Sequence, residues 1–120
     1  MLEASCHCGA VHMEITEPPR SLIDCNCSIC RRLGALWAFY TPDEVKVTCA
    51  TGSTATYLWG DKHVEYHHCS TCGCTTHYVS TKKSGVDRTA VNARMMDPAD
   101  IESVPIKKFD GADTWTYVDD

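Results

Sequence analysis

Cys25-Asn26-Cys27-Ser28-Ile29-Cys30 places three thiols within six residues, in the pattern C-x-C-x-x-C. Packing alone does not call for that spacing, because buried free cysteines have no reason to cluster. A metal ion does, because it draws several soft donors to one point. On this reading Cys25, Cys27 and Cys30 hold a zinc ion and leave its fourth position open. The rest of the chain must then supply a scaffold, a second stabilising site and a substrate pocket.

Two other groups of close thiols stand apart from this one. Cys6-His7-Cys8-Gly9 is a C-x-C pair, and Cys69-Ser70-Thr71-Cys72-Gly73 is a C-x-x-C pair. Each offers two thiolates from a tight turn, and Gly9 and Gly73 let the backbone curl so that amides face the sulfurs. Together Cys6, Cys8, Cys69 and Cys72 make a closed set of four, the form of a structural zinc site. The C-x-x-C also fits a redox pair near a helix start, although Cys69 follows a strand-like, His-rich segment. Four thiols close one site and three leave the other open, and an open position separates catalytic zinc from structural zinc. Three thiolates leave the ion with a net charge of about −1, so it is a poorer maker of hydroxide than zinc on three histidines. It stays well suited to a fourth soft ligand, and a coordinated thiol is deprotonated outright. The expected partner is therefore a small thiol, held as a thiolate for attack on an electrophilic carbon or for departure from one.

Composition narrows the setting. The chain has 120 residues, the size of one domain spanning residues 1–120, and 43% of them are hydrophobic, as in a globular protein. The net charge of −5 argues against a nucleic-acid partner, which usually meets a basic face. No apolar run approaches the roughly 20 residues that span a bilayer, so no membrane partner is expected. The N-terminus shows no basic segment followed by an apolar one, so no secretory signal is expected, and the expected location is cytoplasmic. Nine cysteines, an odd number without such a signal, read as metal or redox chemistry rather than as a disulfide framework. Cys49, alone in Val45-Lys46-Val47-Thr48-Cys49, reads as a small apolar core residue. Cys74 reads as a buried thiol, with a redox partner or spare ligand as the alternatives.

The pattern along the chain is mainly β. Alternation predicts a strand over residues 9–16, and further strands are expected at 36–40, 45–49, 54–59, 63–68, 75–81, 87–93 and 106–110. Residues 28–33, stopped by Gly34, suit one or two helical turns. Asp97 followed by Pro98 signals a second short helix, which Pro105 ends. Trp115 and Tyr117 are expected to pack the tail back onto the body. Arg31 and Arg32 either offset the anionic thiols, hold a substrate carboxylate, or lie on a solvated helix face. His7, His63, His67, His68 and His77 are candidates for a fourth ligand or proton shuttle, with His77 foremost. Trp37, Phe39 and Tyr40 either line a pocket beside the triple or pack the core.

C-x-C-G near the start, C-x-C-S-x-C-R-R-x-G in the middle and C-x-x-C-G-C later stand at residues 5–11, 25–34 and 69–77. With the tail Phe109-Asp110-Gly111-Ala112-Asp113-Thr114-Trp115, this set resembles the glutathione-dependent formaldehyde-activating (GFA) enzymes, a family that includes centromere protein V. The resemblance implies a β-tent fold, a zinc-braced arrangement of small antiparallel sheets with few short helices. It implies two zinc ions, a structural one on Cys6, Cys8, Cys69 and Cys72 and a catalytic one on Cys25, Cys27 and Cys30. It also implies a carbon–sulfur lyase activity like that of S-(hydroxymethyl)glutathione synthase, which joins glutathione and formaldehyde. The alternative class is a zinc-stabilised binding module without catalysis.

Overall fold

Strand alternation sends neighbouring side chains to opposite faces, and here it gives the larger sheet two different apolar faces. The computed structural model describes residues 2–118. Strands β1 (Leu2–Ser5), β2 (His12–Ile15) and β5 (Val45–Thr48) form a three-stranded antiparallel sheet in the order β1-β2-β5. The second sheet has eight strands: β3 (Leu22–Cys25), β4 (Trp37–Tyr40), β6 (Thr54–Tyr57), β7 (Val64–Cys69), β8 (Thr75–Ser80), β9 (Thr89–Asn92), β10 (Ile106–Asp110) and β11 (Thr116–Tyr117). Their order is β11-β10-β3-β4-β9-β8-β7-β6. The two α-helices are short, α1 (Ser28–Leu33) and α2 (Pro98–Ile101). No helix among the described residues is long and apolar enough to cross a membrane.

On β4, Ala38 and Tyr40 point to the small sheet, and with Leu22, Val91, Met13, Ile15 and Val45 they form one buried cluster. Trp37, which precedes Ala38, points the other way and packs with Ile23, Cys25, Cys30, Tyr66, Tyr78 and Ala90. One face thus carries the sheet-on-sheet core, and the other carries aromatic rings and the central thiols.

The mainly β architecture and the two short helices follow the sequence pattern, and most strand ends fall within one or two residues of expectation. The differences have local causes. The strand expected at 9–16 narrows to His12–Ile15, because the Gly9 amide bonds the Cys6 carbonyl (3.1 Å) and the Cys6 amide bonds the Val11 carbonyl (3.1 Å). That stretch is a turn, with Gly9 at φ +83°. Strand β1 has no counterpart in the sequence reading, since Leu2 and Ala4 are too few to register as a period. The strand expected over 54–59 ends at Tyr57, which leaves Leu58 and Trp59 outside the ladder. Strand β10 pairs parallel to β3, with Ile106 opposite Leu22 and Phe109 opposite Cys25. The larger sheet is therefore not wholly antiparallel, and a register between strands so distant in sequence has no local signature.

Two cysteines depart from the core roles assigned to them. Cys49 is exposed, because β5 pairing ends at His12 opposite Thr48 and Cys49 lies beyond it. Cys74 is only half-buried, packed at the edge of the Cys6–Val11–Cys69 cluster.

Met13 is fully buried between the sheets. Met13→Ala should lower the unfolding free energy by about 2–5 kcal/mol, the range for emptying such a site, as read from a denaturant midpoint.

Candidate metal centres

The turn between β1 and β2 meets the turn between β7 and β8. There the ligand atoms of Cys6, Cys8, Cys69 and Cys72 lie within 4.8 Å of one another. Cys6 Sγ is 3.7 Å from Cys8 Sγ, which is 3.6 Å from Cys69 Sγ. Metal–sulfur bonds of about 2.3 Å at tetrahedral angles put sulfurs about 3.8 Å apart, so these separations fit one ion. Backbone amides are aimed at the sulfurs: Val11 N donates to Cys6 Sγ (3.3 Å), and Thr71 N and Cys72 N donate to Cys69 Sγ (3.4 and 3.5 Å). Amides of Cys72 and Thr71 hold the Cys69 thiol below its ordinary range. The Cys74 and Cys8 amides bring Cys72 down to about 5. Donors crowding a sulfur favour the thiolate, the form that binds metal.

The second group, Cys25, Cys27 and Cys30, also lies within 4.8 Å, and it is assembled locally. Cys25 ends β3. Cys27 is the N-cap of α1, with its sulfur accepting from the Cys30 amide (3.4 Å) in place of the usual capping oxygen. Gly34 ends that helix in the left-handed region (φ 65°), returning its N–H to the Cys30 carbonyl (3.1 Å). Trp37 Nε1 donates to Cys30 Sγ (3.3 Å), a buried hydrogen bond. The hydrogen bond from the Cys30 thiol outweighs burial and brings Cys25 down to about 6, helped by the Cys27 and Gly111 amides. Donation to Cys25, together with burial, pushes Cys30 up.

The tail closes one side of this group. Asn26 Nδ2 donates to Asp110 Oδ1 (3.0 Å), and Asn26 Oδ1 accepts from the Ala112 amide (3.0 Å). Thr114 N and Oγ1 both donate to Asp110 Oδ2 (3.2 and 2.9 Å). These bonds, led by the one from Asn26, hold the Asp110 carboxyl below its usual range. The clamp presses Gly111 against the thiols: a Cβ there would stand 2.7 Å from Cys25 Sγ and 3.2 Å from Cys27 Cβ. Trp115 and Tyr117 fold back as expected, edge-on to Phe109 at ring separations of 5.1 and 5.0 Å.

The three thiols open on a cavity of about 650 Å³. Trp37 and Phe39 line it, whereas Tyr40 faces the sheet-on-sheet core and donates to the Glu17 carbonyl (3.0 Å). The other walls are residues the sequence reading did not single out for the site: Trp59, Tyr66, Tyr78, Arg88, Phe109 and Gly111, with Trp115 and Tyr117 from the tail. They lie on four strands and three loops, so no local motif joins them.

Arg31 and Arg32 are exposed and do not line the cavity, and Arg32 Nη1 instead bonds the Ser28 carbonyl of its own helix (2.8 Å). The arginine on the cavity wall is Arg88, stacked over the Phe39 ring at 4.1 Å. It has no carboxylate partner among the described residues. His77 does not reach the thiols. It sits on the opposite face of β8 from Tyr78, buried, stacked on His67 (4.4 Å) and hydrogen-bonded to Thr76 Oγ1 (2.8 Å). Burial and His67 push it down to about 4, so it is a neutral core ring rather than a proton shuttle. His7 is exposed, and His67 pairs with Glu65 (2.9 Å). His63 does line the cavity, paired with Asp61 at 3.4 Å.

Fold and thiol geometry together define a mainly β protein able to hold metal at two separate centres. Residues 1–109 match the family described as glutathione-dependent formaldehyde-activating enzyme, and the chain belongs to that family. It is also similar to the crystal structure of a Rhodobacter sphaeroides protein, at 29% sequence identity and a TM-score of 0.71, over 88% of this chain and 99% of that one.

Gly111→Ala would force a carbon into the Cys25 sulfur. It should lower the metal content by one ion per chain while leaving the far-UV circular dichroism unchanged. An unaltered metal content would show that the tail does not shape the three-thiol centre.

Proposed function

We propose that this chain is a zinc-dependent carbon–sulfur lyase that joins a small thiol, glutathione or a relative, to a carbonyl carbon such as that of formaldehyde, or parts the two. The observation that carries the reading is the contrast between two thiol groups. Four sulfurs converge between two turns, whereas three converge at the floor of a cavity. Cys6, Cys8, Cys69 and Cys72 take the structural zinc, and Cys25, Cys27 and Cys30 take the catalytic one. When bound to three thiolates, zinc supplies a soft open position that stabilises a substrate thiol in its thiolate form.

The chain's own residues do the rest. The Trp37 N–H draws charge from the Cys30 sulfur, and the Gly111 amide does the same for Cys25. Both limit the negative charge that an incoming thiolate would meet. Arg88, which has no carboxylate partner among the described residues and faces the cavity, receives a carboxylate of the thiol. This takes over the role that the sequence offered to Arg31 and Arg32. The aromatic walls keep water from the reacting carbon, which favours a thiol over water as its nucleophile. In the joining direction the sulfur–carbon bond forms, the carbonyl electron pair moves to oxygen, and the thiol's proton ends on that oxygen. Residues 1–120 act as one unit, and nine free thiols suit a reducing compartment such as the cytoplasm.

Zinc-edge absorption during titration of the zinc-loaded protein with glutathione tests this. A fourth sulfur should appear at one of two zinc ions, and Arg88→Gln should raise the glutathione needed by about tenfold. No change with any thiol would leave a zinc-stabilised binding module. The two centres should also separate by mutation. Cys69→Ser should prevent stable folding, whereas Cys27→Ser should keep the fold and abolish activity. Equal loss of fold in both variants would make the triple structural.

A further inference from the structure

All three tryptophans, both phenylalanines and three of the five tyrosines of this chain line the cavity over Cys25, Cys27 and Cys30. Burial in the second apolar cluster accounts for Trp37, Tyr66 and Tyr78 but not for the rest of that concentration, and the sheet-on-sheet core is made of aliphatic side chains, methionine and one tyrosine. Several of the rings are also not buried: Phe39 is 37% exposed, Trp59 42%, Tyr117 51% and Trp115 70%. Large aromatic side chains left in water around one cavity mark a surface that something flat and apolar is meant to cover.

The rings form two walls. Trp37, Tyr66 and Tyr78 pack edge-on or tilted on one side, with centroids 4.8 to 6.1 Å apart, and Trp37 reaches the Cys30 sulfur. Phe109, Trp115 and Tyr117 form the other wall, held by the tail clamp that also presses Gly111 on Cys25. A carbon bonded to sulfur at the thiol centre would therefore carry its substituent out between two aromatic walls. A one-carbon group fills little more than the roughly 30 Å³ share of one water. The cavity offers about 650 Å³, a volume suited to a molecule many times larger.

From this geometry we infer that the carbon partner of the reaction is an aromatic aldehyde, whose ring lies between these walls, rather than formaldehyde. The inference rests on the thiol reading given above and names its second substrate. The chemistry is balanced without any oxidant or reductant. The thiol adds to the aldehyde carbon, the S–C bond forms as the C=O π pair moves to oxygen, and the thiol proton ends on that oxygen. The product is an aryl hemithioacetal, and the reverse step releases both halves unchanged in oxidation state. Phe39 and Trp59, at the rim, would set the preference for a flat substituent.

Stable thioethers report the pocket apart from turnover. S-benzylglutathione and S-methylglutathione differ only in the ring, and calorimetric titration of the zinc-loaded protein should show the benzyl compound binding at least tenfold tighter. Trp59→Ala should bring the two affinities close together by weakening the benzyl compound far more than the methyl one. Exchange measured by NMR should likewise favour benzaldehyde over formaldehyde with glutathione as the common thiol. Equal affinities, or tighter binding of the methyl compound, would overturn the aromatic pocket even if glutathione adds a fourth sulfur at zinc. A benzyl preference without that fourth sulfur would keep the aromatic pocket and sink the thiol reading instead.

Discussion

Two sheets meet where two turns, some sixty residues apart, bring four sulfur atoms within 4.8 Å. Much of the molecule follows from that convergence. Thiols so close repel once ionised, and the amides aimed at them favour ionisation. A cation bound between them would remove the repulsion and link the β1–β2 turn to the β7–β8 turn, and so the small sheet to the large one. The rest of that contact is apolar, with Val11 and Met13 wholly buried. In a chain of this length a metal tie would supplement a core that is necessarily small.

The opposite face of the large sheet has a different task. Its strands turn Trp37, Tyr66, Tyr78 and Ala90 away from the small sheet, toward the three-thiol centre. That centre owes its position to three local devices. β3 ends at Cys25, Cys27 caps α1 with a sulfur, and Gly34 stops the helix after six residues. The fourth device is not local. Asn26, inside the motif, bonds Asp110 and the Ala112 amide more than eighty residues later, so the tail is part of the site. The absence of a side chain at Gly111 is what lets that tail approach.

Electrostatics divides along the same lines. The chain is acidic overall, yet the cation facing the cavity is an arginine with no acidic partner among the described residues. A half-buried guanidinium over an aromatic ring is held by stacking and by its neighbours, and it remains available to an anion. The histidines do less than their number suggests. His67 and His77 stack within the sheet, and neither lines the cavity.

The sequence by itself determined the thiol groups, the mainly β class and both short helices, because each depends on spacing or capping within a few residues. Cys6 with Cys8, Cys25 with Cys27 and Cys30, and Cys69 with Cys72 are near neighbours whatever the fold does. Asp97 caps α2 through its own side chain, accepting from the Ala99 amide at 2.9 Å. Periodicity could not reveal which pairs of strands meet, so β1 and the parallel pairing of β10 with β3 were invisible to it. For the same reason Arg31 and Arg32 drew attention through adjacency to a cysteine, while Arg88 reached the cavity through the β8–β9 hairpin. Cys49 looked like a core residue because it stands alone at the end of a strand, away from the other thiols, and only the end of the β2–β5 ladder put it in water. The aromatic walls and the tail over Cys25 were decided by tertiary structure alone, since side chains from distant strands become neighbours only once sheet order and register are set.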